Sequence, residues 1–192
     1  EYIQLFPNGN FIVYAYYFRA DCFFKASNYS EAYLDYKKLI GIGANKYQET
    51  ALLKASYIAY EINQDYSEAL YLYNDLKNKA SLQGNQEIAL IGMLRCNFKL
   101  KNYDEVIINA TSVLNNSAIN DEVQTEATFY QAKALLEKKQ YVASETYFQE
   151  IVNTLSISSI KAESAYSLAF ILHKNYLYES SNTACLKIKN DY

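Results

Sequence analysis

The sequence contains few of the residues that interrupt helices or that carry common catalytic and metal chemistry. Its 192 residues include one proline, five glycines, one histidine and no tryptophan. With His173 alone, the chain has no His-based metal cluster and no repeated acid–base machinery. No serine lies in a Gly-x-Ser-x-Gly pattern, which argues against a hydrolase of that type. We therefore expect no enzyme and no cofactor.

Cysteines, long apolar runs and positive charge are also scarce. The three cysteines, Cys22, Cys96 and Cys185, are odd in number and widely spaced, which argues against a disulfide framework or a zinc site. No apolar run reaches 18 residues, so we predict no transmembrane helix and no direct membrane insertion. The formal net charge of −3 argues against a nucleic-acid partner, because phosphate backbones attract basic surfaces.

A short motif centred on tyrosine recurs through the whole chain. Asn28-Tyr29-Ser30-Glu31-Ala32 returns around Tyr66 and Tyr103, and in weaker form around Tyr141 and Tyr176. The tyrosines lie 37, 37, 38 and 35 residues apart. A fixed period of this size indicates a stack of repeated structural units.

Residue patterns around each tyrosine predict a pair of helices. Positions 3, 7 and 10 after the tyrosine form one apolar stripe of a helix, and the preceding Asn28, Asp65 and Asn102 are typical helix caps. The residue seven positions before the tyrosine is small in every repeat, as with Cys22 and Cys96. This predicts that these residues are buried where two helices cross closely. Each repeat is thus a first helix, a short turn and a second helix.

This pattern resembles the tetratricopeptide repeat family, most closely over residues 15–32 and 127–141. The resemblance implies an all-α, right-handed superhelical solenoid of about five antiparallel helix pairs. With Leu5-Phe6-Pro7-Asn8-Gly9 before it, the first repeat resembles repeats of bacterial cell-envelope proteins, of the Tol–Pal accessory protein and outer-membrane assembly lipoprotein type. That favours the periplasm or cell envelope over the cytoplasm and leaves the compartment open.

Two residues depart from the family pattern. Tyr57 and Leu94 stand where the family prefers glycine or alanine, so we expect local irregularity there. The repeats predict a single array over residues 1–192. The chain begins without methionine, so we expect a fragment of a longer repeat protein. Its predicted parts are a remnant of a preceding repeat at 1–8 and repeats at about 11–43, 46–82, 86–117, 121–155 and 159–192.

In such arrays the first helices line a concave groove, and the resemblance implies that a partner peptide lies there. Positions 12, 8, 5 and 4 before each tyrosine are expected to face this groove; they include Ile58 in the second repeat. Aromatic and basic residues dominate the set, which predicts a protein or peptide partner with acidic character. The alternative is a face that is merely solvated. The predicted partner-binding residues are Tyr17, Asp21, Lys25, Lys54, Arg95, Phe98, Lys99, Phe129 and Lys133.

The leading functional hypothesis is a non-enzymatic scaffold for protein–protein interaction. One alternative is a structural or self-assembly module whose repeats associate through exposed array ends. Another is a regulatory repeat region of a larger protein. The residues do not identify the partner or the oligomeric state.

Overall fold

The computed structural model of the chain describes residues 1–154 and 159–191, and within them all regular structure is helical. The predicted all-α class is therefore confirmed. A π-helix, Ile58–Ile62, directly continues α4. The helices are α1 Tyr2–Leu5, α2 Ile12–Lys25, α3 Tyr29–Gly41, α4 Gln48–Tyr57, α5 Tyr66–Lys79, α6 Gln83–Lys99, α7 Tyr103–Leu114, α8 Asp121–Glu137, α9 Tyr141–Thr154, α10 Ser159–Lys174 and α11 Tyr178–Asp191.

The chain divides into two compact units, Glu1–Cys96 and Asn97–Tyr192. In the first unit α2 packs on α3, α3 on α4 and α4 on α5. In the second unit each helix from α7 to α10 packs on the helix that follows it. Helices adjacent in sequence are therefore adjacent in space, which is the packing of a helical repeat solenoid.

The apolar stripe predicted for the second helices forms the core of both units. At position 3 after the tyrosine the residues are small and have no exposed surface in four repeats, because the two helices of a pair approach closely there. Large side chains fill the space one and two turns later. The buried residues at positions 3, 7 and 10 are Ala32, Tyr36, Leu39, Ala69, Tyr73, Leu76, Val106, Ala110, Val113, Ser144, Phe148 and Ile151.

The predicted register of the fifth repeat is wrong, because the tyrosine that begins its second helix is Tyr178 and not Tyr176. Tyr178 follows Tyr141 by 37 residues, so the period is more regular than the motif indicated. Three residues later the buried Ser181 donates a hydrogen bond to the Ala169 carbonyl at 2.8 Å. Ser144 makes the same bond to the Ala132 carbonyl at 2.9 Å in the fourth repeat.

Each turn between paired helices contains a non-glycine residue with positive φ, two positions before the tyrosine. The φ angles lie between 53° and 62°. This left-handed conformation ends a helix by folding the next backbone N–H onto an earlier carbonyl, for example Asn28 N onto Phe23 O at 2.8 Å. The residues are Ser27, Gln64, Lys101, Lys139 and Tyr176.

The predicted side-chain capping of the second helices is only partly correct. Asp65 caps α5 by accepting a hydrogen bond from the Glu68 N–H at 3.0 Å. Asn28 and Asn102 make no such bond. The Asn102 amide is instead directed at the Asn97 side chain, 3.3 Å away.

The π-helix shifts the register of α4 by one residue. In the other four turns the closing backbone bond spans five residues, as from Asn102 N to Asn97 O, but the bond from Asp65 N to Ala59 O spans six. Each residue of α4 therefore takes the position on the helix that the repeat pattern assigns to the residue after it. The irregularity expected at Tyr57 is confirmed, since Tyr57 is the last residue before the π-helix.

Burial of the predicted small column differs between repeats. Cys96 and Ala134 have no exposed surface, and burial raises the pKa of the Cys96 thiol to about 12. Cys22, however, is exposed, so the expectation that it is buried was wrong. In that pair the buried small residue is Ala20, two positions earlier, which belongs to the same core cluster as Ala32 on α3.

Glu49 joins the starts of two first helices in the first unit. Its carboxylate accepts hydrogen bonds from the Ser81 N–H at 3.0 Å, the Ser81 hydroxyl at 2.8 Å, the Leu82 N–H at 3.3 Å and the Asn85 amide at 2.7 Å. These donors precede or begin α6. They lower the pKa of Glu49 to about 2, with the Ser81 backbone bond as the largest cause.

We predict that Glu49→Gln lowers the free energy of unfolding by about 1 kcal/mol at neutral pH, since bonds to a charged acceptor are lost at a solvent-accessible site. Because the folded pKa is depressed, this contribution is complete above the ordinary value of 4.5 and disappears as the pH falls towards 2. Urea unfolding at several pH values measures it, with the exposed Glu31→Gln as control. A difference from wild type that persists at pH 2 would contradict the assignment.

Candidate partner-binding faces

Phe24 is the centre of an aromatic cluster on the first-helix face of the first unit. Its ring centroid lies 5.4 Å from Tyr29, 6.4 Å from Tyr36 and 5.9 Å from Tyr57. The Lys54 ammonium lies 4.3 Å from the same centroid. Tyr36 forms the buried floor, and burial raises the pKa of its hydroxyl. Among the described residues this hydroxyl has no hydrogen-bond partner.

The structure corrects one predicted position on this face. Ile58 has no exposed surface and belongs to the core, because the π-helix rotates it inward. Tyr57, 41% exposed, takes the outward position instead. By the shifted register, Tyr57 corresponds to Asp21 on α2 and Lys133 on α8. The only sequence signal for this change was a tyrosine at a position where the repeat family prefers glycine or alanine.

The predicted residues of α2 are placed on the surface but are engaged with neighbours. Tyr17 stacks on Tyr47 with ring centroids 3.8 Å apart and an interplanar angle of 3°. Asp21 pairs with Lys25 at 2.7 Å, one helical turn away. Such exposed pairs contribute little to stability, so both groups can exchange this contact for one with a partner.

Three predicted residues of the second unit form one cluster around Lys133. Its ammonium lies 5.0 Å from the ring centroids of both Phe98 and Phe129 and 2.6 Å from a Glu163 carboxylate oxygen. Phe129 is only 5% exposed and packs on Phe148, so it is a core residue and was wrongly predicted to line a groove. Lys133 is neutralised by Glu163, a residue of α10 that the repeat pattern did not indicate.

Arg95 and Lys99 lie four residues apart on α6, so their side chains share one helix face. Lys99 is exposed as expected, whereas Arg95 is half-buried. Arg95 was predicted to line the groove with Lys99 and is less accessible there than expected.

A second aromatic cluster near the start of α2 was not predicted. Phe11, Tyr14 and Phe18 follow one stripe of this helix and are 64%, 40% and 56% exposed. Tyr47 contacts Tyr14 at 5.8 Å and Phe18 at 6.3 Å. Lys46 places its ammonium 4.2 Å from the Tyr14 ring centroid. The spacing of Phe11, Tyr14 and Phe18 could have indicated this stripe.

Residues 1–154 and 159–191 have neither a grouped set of metal ligands nor a membrane-spanning helix. In that part of the chain no three His, Cys, Asp or Glu side chains are grouped so that they could hold a metal ion. None of the helices described there has both the length and the apolar character needed to cross a bilayer.

Comparison with solved structures identifies the repeat type. Residues 41 to the end of MamA from Desulfovibrio magneticus RS-1 superimpose with a TM-score of 0.71 at 13% identity, covering 93% of each chain. A tetratricopeptide repeat protein from Parabacteroides merdae ATCC 43184 superimposes with a TM-score of 0.72 at 16% identity, covering 98% of this chain and 69% of the other. The chain has the tetratricopeptide repeat fold. At these identities the likeness concerns the fold alone.

Comparisons at the level of sequence find no relative of this chain. No family model matches the sequence. No curated protein is significantly similar to it. The function is therefore inferred from the chain's own side chains.

Proposed function

We propose that this chain is a non-enzymatic scaffold that binds a partner protein or peptide on the faces of its first helices. The observation that carries this proposal is the Phe24 cluster, in which aromatic rings and a lysine lie together at the surface. Aromatic side chains supply contact area at low entropic cost, and lysine attracts acidic groups. The function is a proposal about binding and involves no chemical step.

The charge of these faces supports a partner with acidic character. Lys54 in the first unit and Arg95 and Lys99 on α6 place positive charge on first helices of a chain whose net charge is −3. A local basic region on an acidic protein concentrates attraction for acidic segments at one place. We propose that acidic partner segments bind in the concave groove that the sequence predicts.

We predict that combining Arg95→Gln with Lys99→Glu removes the partner recovered from a native lysate by the wild-type chain. Arg95 is made neutral and not acidic because a buried negative charge could destabilise α6. The matched control reverses the exposed Lys38 and Lys77 on the second helices α3 and α5. Both variants are expected to keep the melting temperature of the wild type.

Affinity purification followed by mass spectrometry measures the outcome. The proposal requires loss of partners in the α6 variant and their retention in the control. Recovery of the same partners by both variants would contradict a role for Arg95 and Lys99 in binding, and the second helices, with Tyr33, Tyr71 and Tyr147, would then be tested.

Self-assembly is a second candidate function, favoured by the exposed aromatic stripe of α2. Phe11 and Phe18 are 64% and 56% exposed, and exposed apolar surface of this kind often marks an association site. Light scattering across a concentration series distinguishes the two functions. A monomer at all concentrations supports the scaffold, whereas an oligomer abolished by Phe11→Ser and Phe18→Ser supports self-assembly.

A further inference from the structure

Lys54 differs from Lys37, the other half-buried lysine of its unit, in having no carboxylate partner among the described residues. Lys37, also half-buried, pairs with Glu68 on the next repeat. In the second unit the half-buried Lys133 pairs with Glu163 at 2.6 Å. Within residues 1–154 and 159–191, no carboxylate lies within ion-pair distance of Lys54, and its ammonium rests on the Phe24 ring.

A positive charge held at an aromatic surface attracts an anionic group. Partial burial removes part of the water that would otherwise screen the lysine, so attraction to a carboxylate is stronger there than at a fully exposed site. The contact with the Phe24 ring also favours one placement of the ammonium, which lowers the side-chain entropy lost when a ligand binds. Among the residues that the structure describes, no carboxylate pairs with this charge.

The π-helix places an aromatic side chain beside this lysine. Without the extra residue of the Asp65-to-Ala59 turn, the outward position on α4 would be held by Ile58. With it, Tyr57 is exposed and its ring lies 5.9 Å from Phe24. π-Helices weaken regular hydrogen bonding and are found frequently at functional sites, where they reposition side chains. The register shift and the unpaired lysine are independent observations that converge on one surface.

We infer that Lys54, Phe24 and Tyr57 form the anchoring subsite for a partner segment in which an acidic residue adjoins an aromatic residue. The carboxylate binds the Lys54 ammonium, and the aromatic side chain packs on the exposed edge of Phe24 and Tyr57. This inference rests on the proposed scaffold function and specifies the chemistry that its first unit recognises. It assigns no role to the second unit.

The test uses the full chain and short synthetic probes. The first probe is an acetylated, amidated peptide of sequence Ser-Glu-Phe-Glu-Ser. One control peptide has glutamine in place of both glutamates, and another has alanine in place of phenylalanine. Binding is measured by chemical-shift changes of the labelled protein up to about 5 mM peptide, because short peptides bind in the millimolar range or somewhat below.

Four protein variants assign the contacts. We expect Lys54→Gln to weaken binding of the Glu-Phe peptide about tenfold and to abolish its advantage over the glutamine peptide, a change of one order in Kd. Lys54→Arg is expected to retain that advantage because it retains the charge. Tyr57→Ala should weaken the phenylalanine-containing peptides and leave the alanine peptide unchanged. Lys46→Gln, which removes another lysine lying on tyrosine rings, should have no effect.

Three results would overturn the inference: no binding of the Glu-Phe peptide, equal binding of the glutamate and glutamine peptides, or equal effects of Lys54→Gln and Lys46→Gln. Each variant is first shown to melt at the wild-type temperature, so a loss of binding is not a loss of fold. If the peptides fail while the α6 variant still loses its partners from a lysate, the subsite is wrong and the scaffold function stands. If the α6 variant retains its partners while the peptides bind as expected, the subsite stands and the role of α6 is wrong.

Discussion

Replacing Arg19 with methionine is expected to lower the free energy of unfolding by about 2–3 kcal/mol, because it leaves a buried carboxylate without its cation. Asp35 is only 4% exposed. Arg19 binds it with two parallel hydrogen bonds, from Nε at 2.6 Å and from Nη2 at 2.7 Å. The hydrogen bond to Asp35 is also the main reason that the pKa of Arg19 is raised.

A double variant separates this explanation from a loss of packing. Arg19→Met combined with Asp35→Leu removes both charges, and we expect it to recover most of the lost stability, because an apolar pair can replace a buried ion pair. Lys79→Met is the control, since its exposed pair with Asp75 should contribute less than about 0.5 kcal/mol. Chemical unfolding measures all three. A double variant no more stable than Arg19→Met would contradict the electrostatic account.

Replacing Gly92 with alanine is expected to lower the free energy of unfolding by about 1–3 kcal/mol through overpacking. An added Cβ at Gly92 would lie 2.6 Å from atoms of the Tyr73 ring, well inside van der Waals contact. Tyr73 is 8% exposed and is held in the core of the first unit, so its ring has little space in which to move.

The same helix provides the matched control. Gly84 is also in α6, and a Cβ there would meet nothing within 4 Å. Gly84→Ala is therefore expected to raise stability by up to about 1 kcal/mol, because alanine favours a helix more than glycine does. Thermal unfolding of the two variants measures whether the same substitution in one helix changes stability in opposite directions. Equal effects would mean that the Tyr73 ring moves aside.

Local patterns predicted the core of the repeats well. The stripe through Ala32, Tyr36 and Leu39 could be read from sequence because burial on one helix face imposes a period on apolar residues. Glu49 shows the limit of this reasoning. Its four hydrogen bonds depend on contacts between residues more than 30 positions apart, and nothing in the local sequence indicates them.

The two register errors have separate physical causes. The π-helix adds a residue inside the second repeat, yet Tyr66 is still 37 residues from Tyr29, so the period hides the insertion. In the fifth repeat, Asn175-Tyr176 resembles a helix start. Tyr176 instead adopts a left-handed turn conformation with φ of 62°, which is uncommon for a residue with a bulky side chain.

The residue types of the candidate site could be predicted from sequence, but its ion pairs could not. The sequence placed aromatic and basic residues on first helices, and Phe24, Lys54 and Tyr17 do lie at the surface of the first unit. It could not show that Lys133 is neutralised by Glu163 while Lys54 is not, because ion pairs between repeats depend on side-chain geometry. The chemistry of the face therefore became clear only from the structure.

The central claim is that a partner binds the first-helix face. Site-specific photo-crosslinking tests it most directly, with benzoylphenylalanine placed at Tyr57 on the first-helix face or at Tyr71, 61% exposed, on the second helix α5. After irradiation in a native lysate, we predict a discrete adduct from position 57 that is lost in the Lys54→Gln background, and no such adduct from position 71. Adducts from position 71 alone, or equal adducts from both positions, would contradict the account.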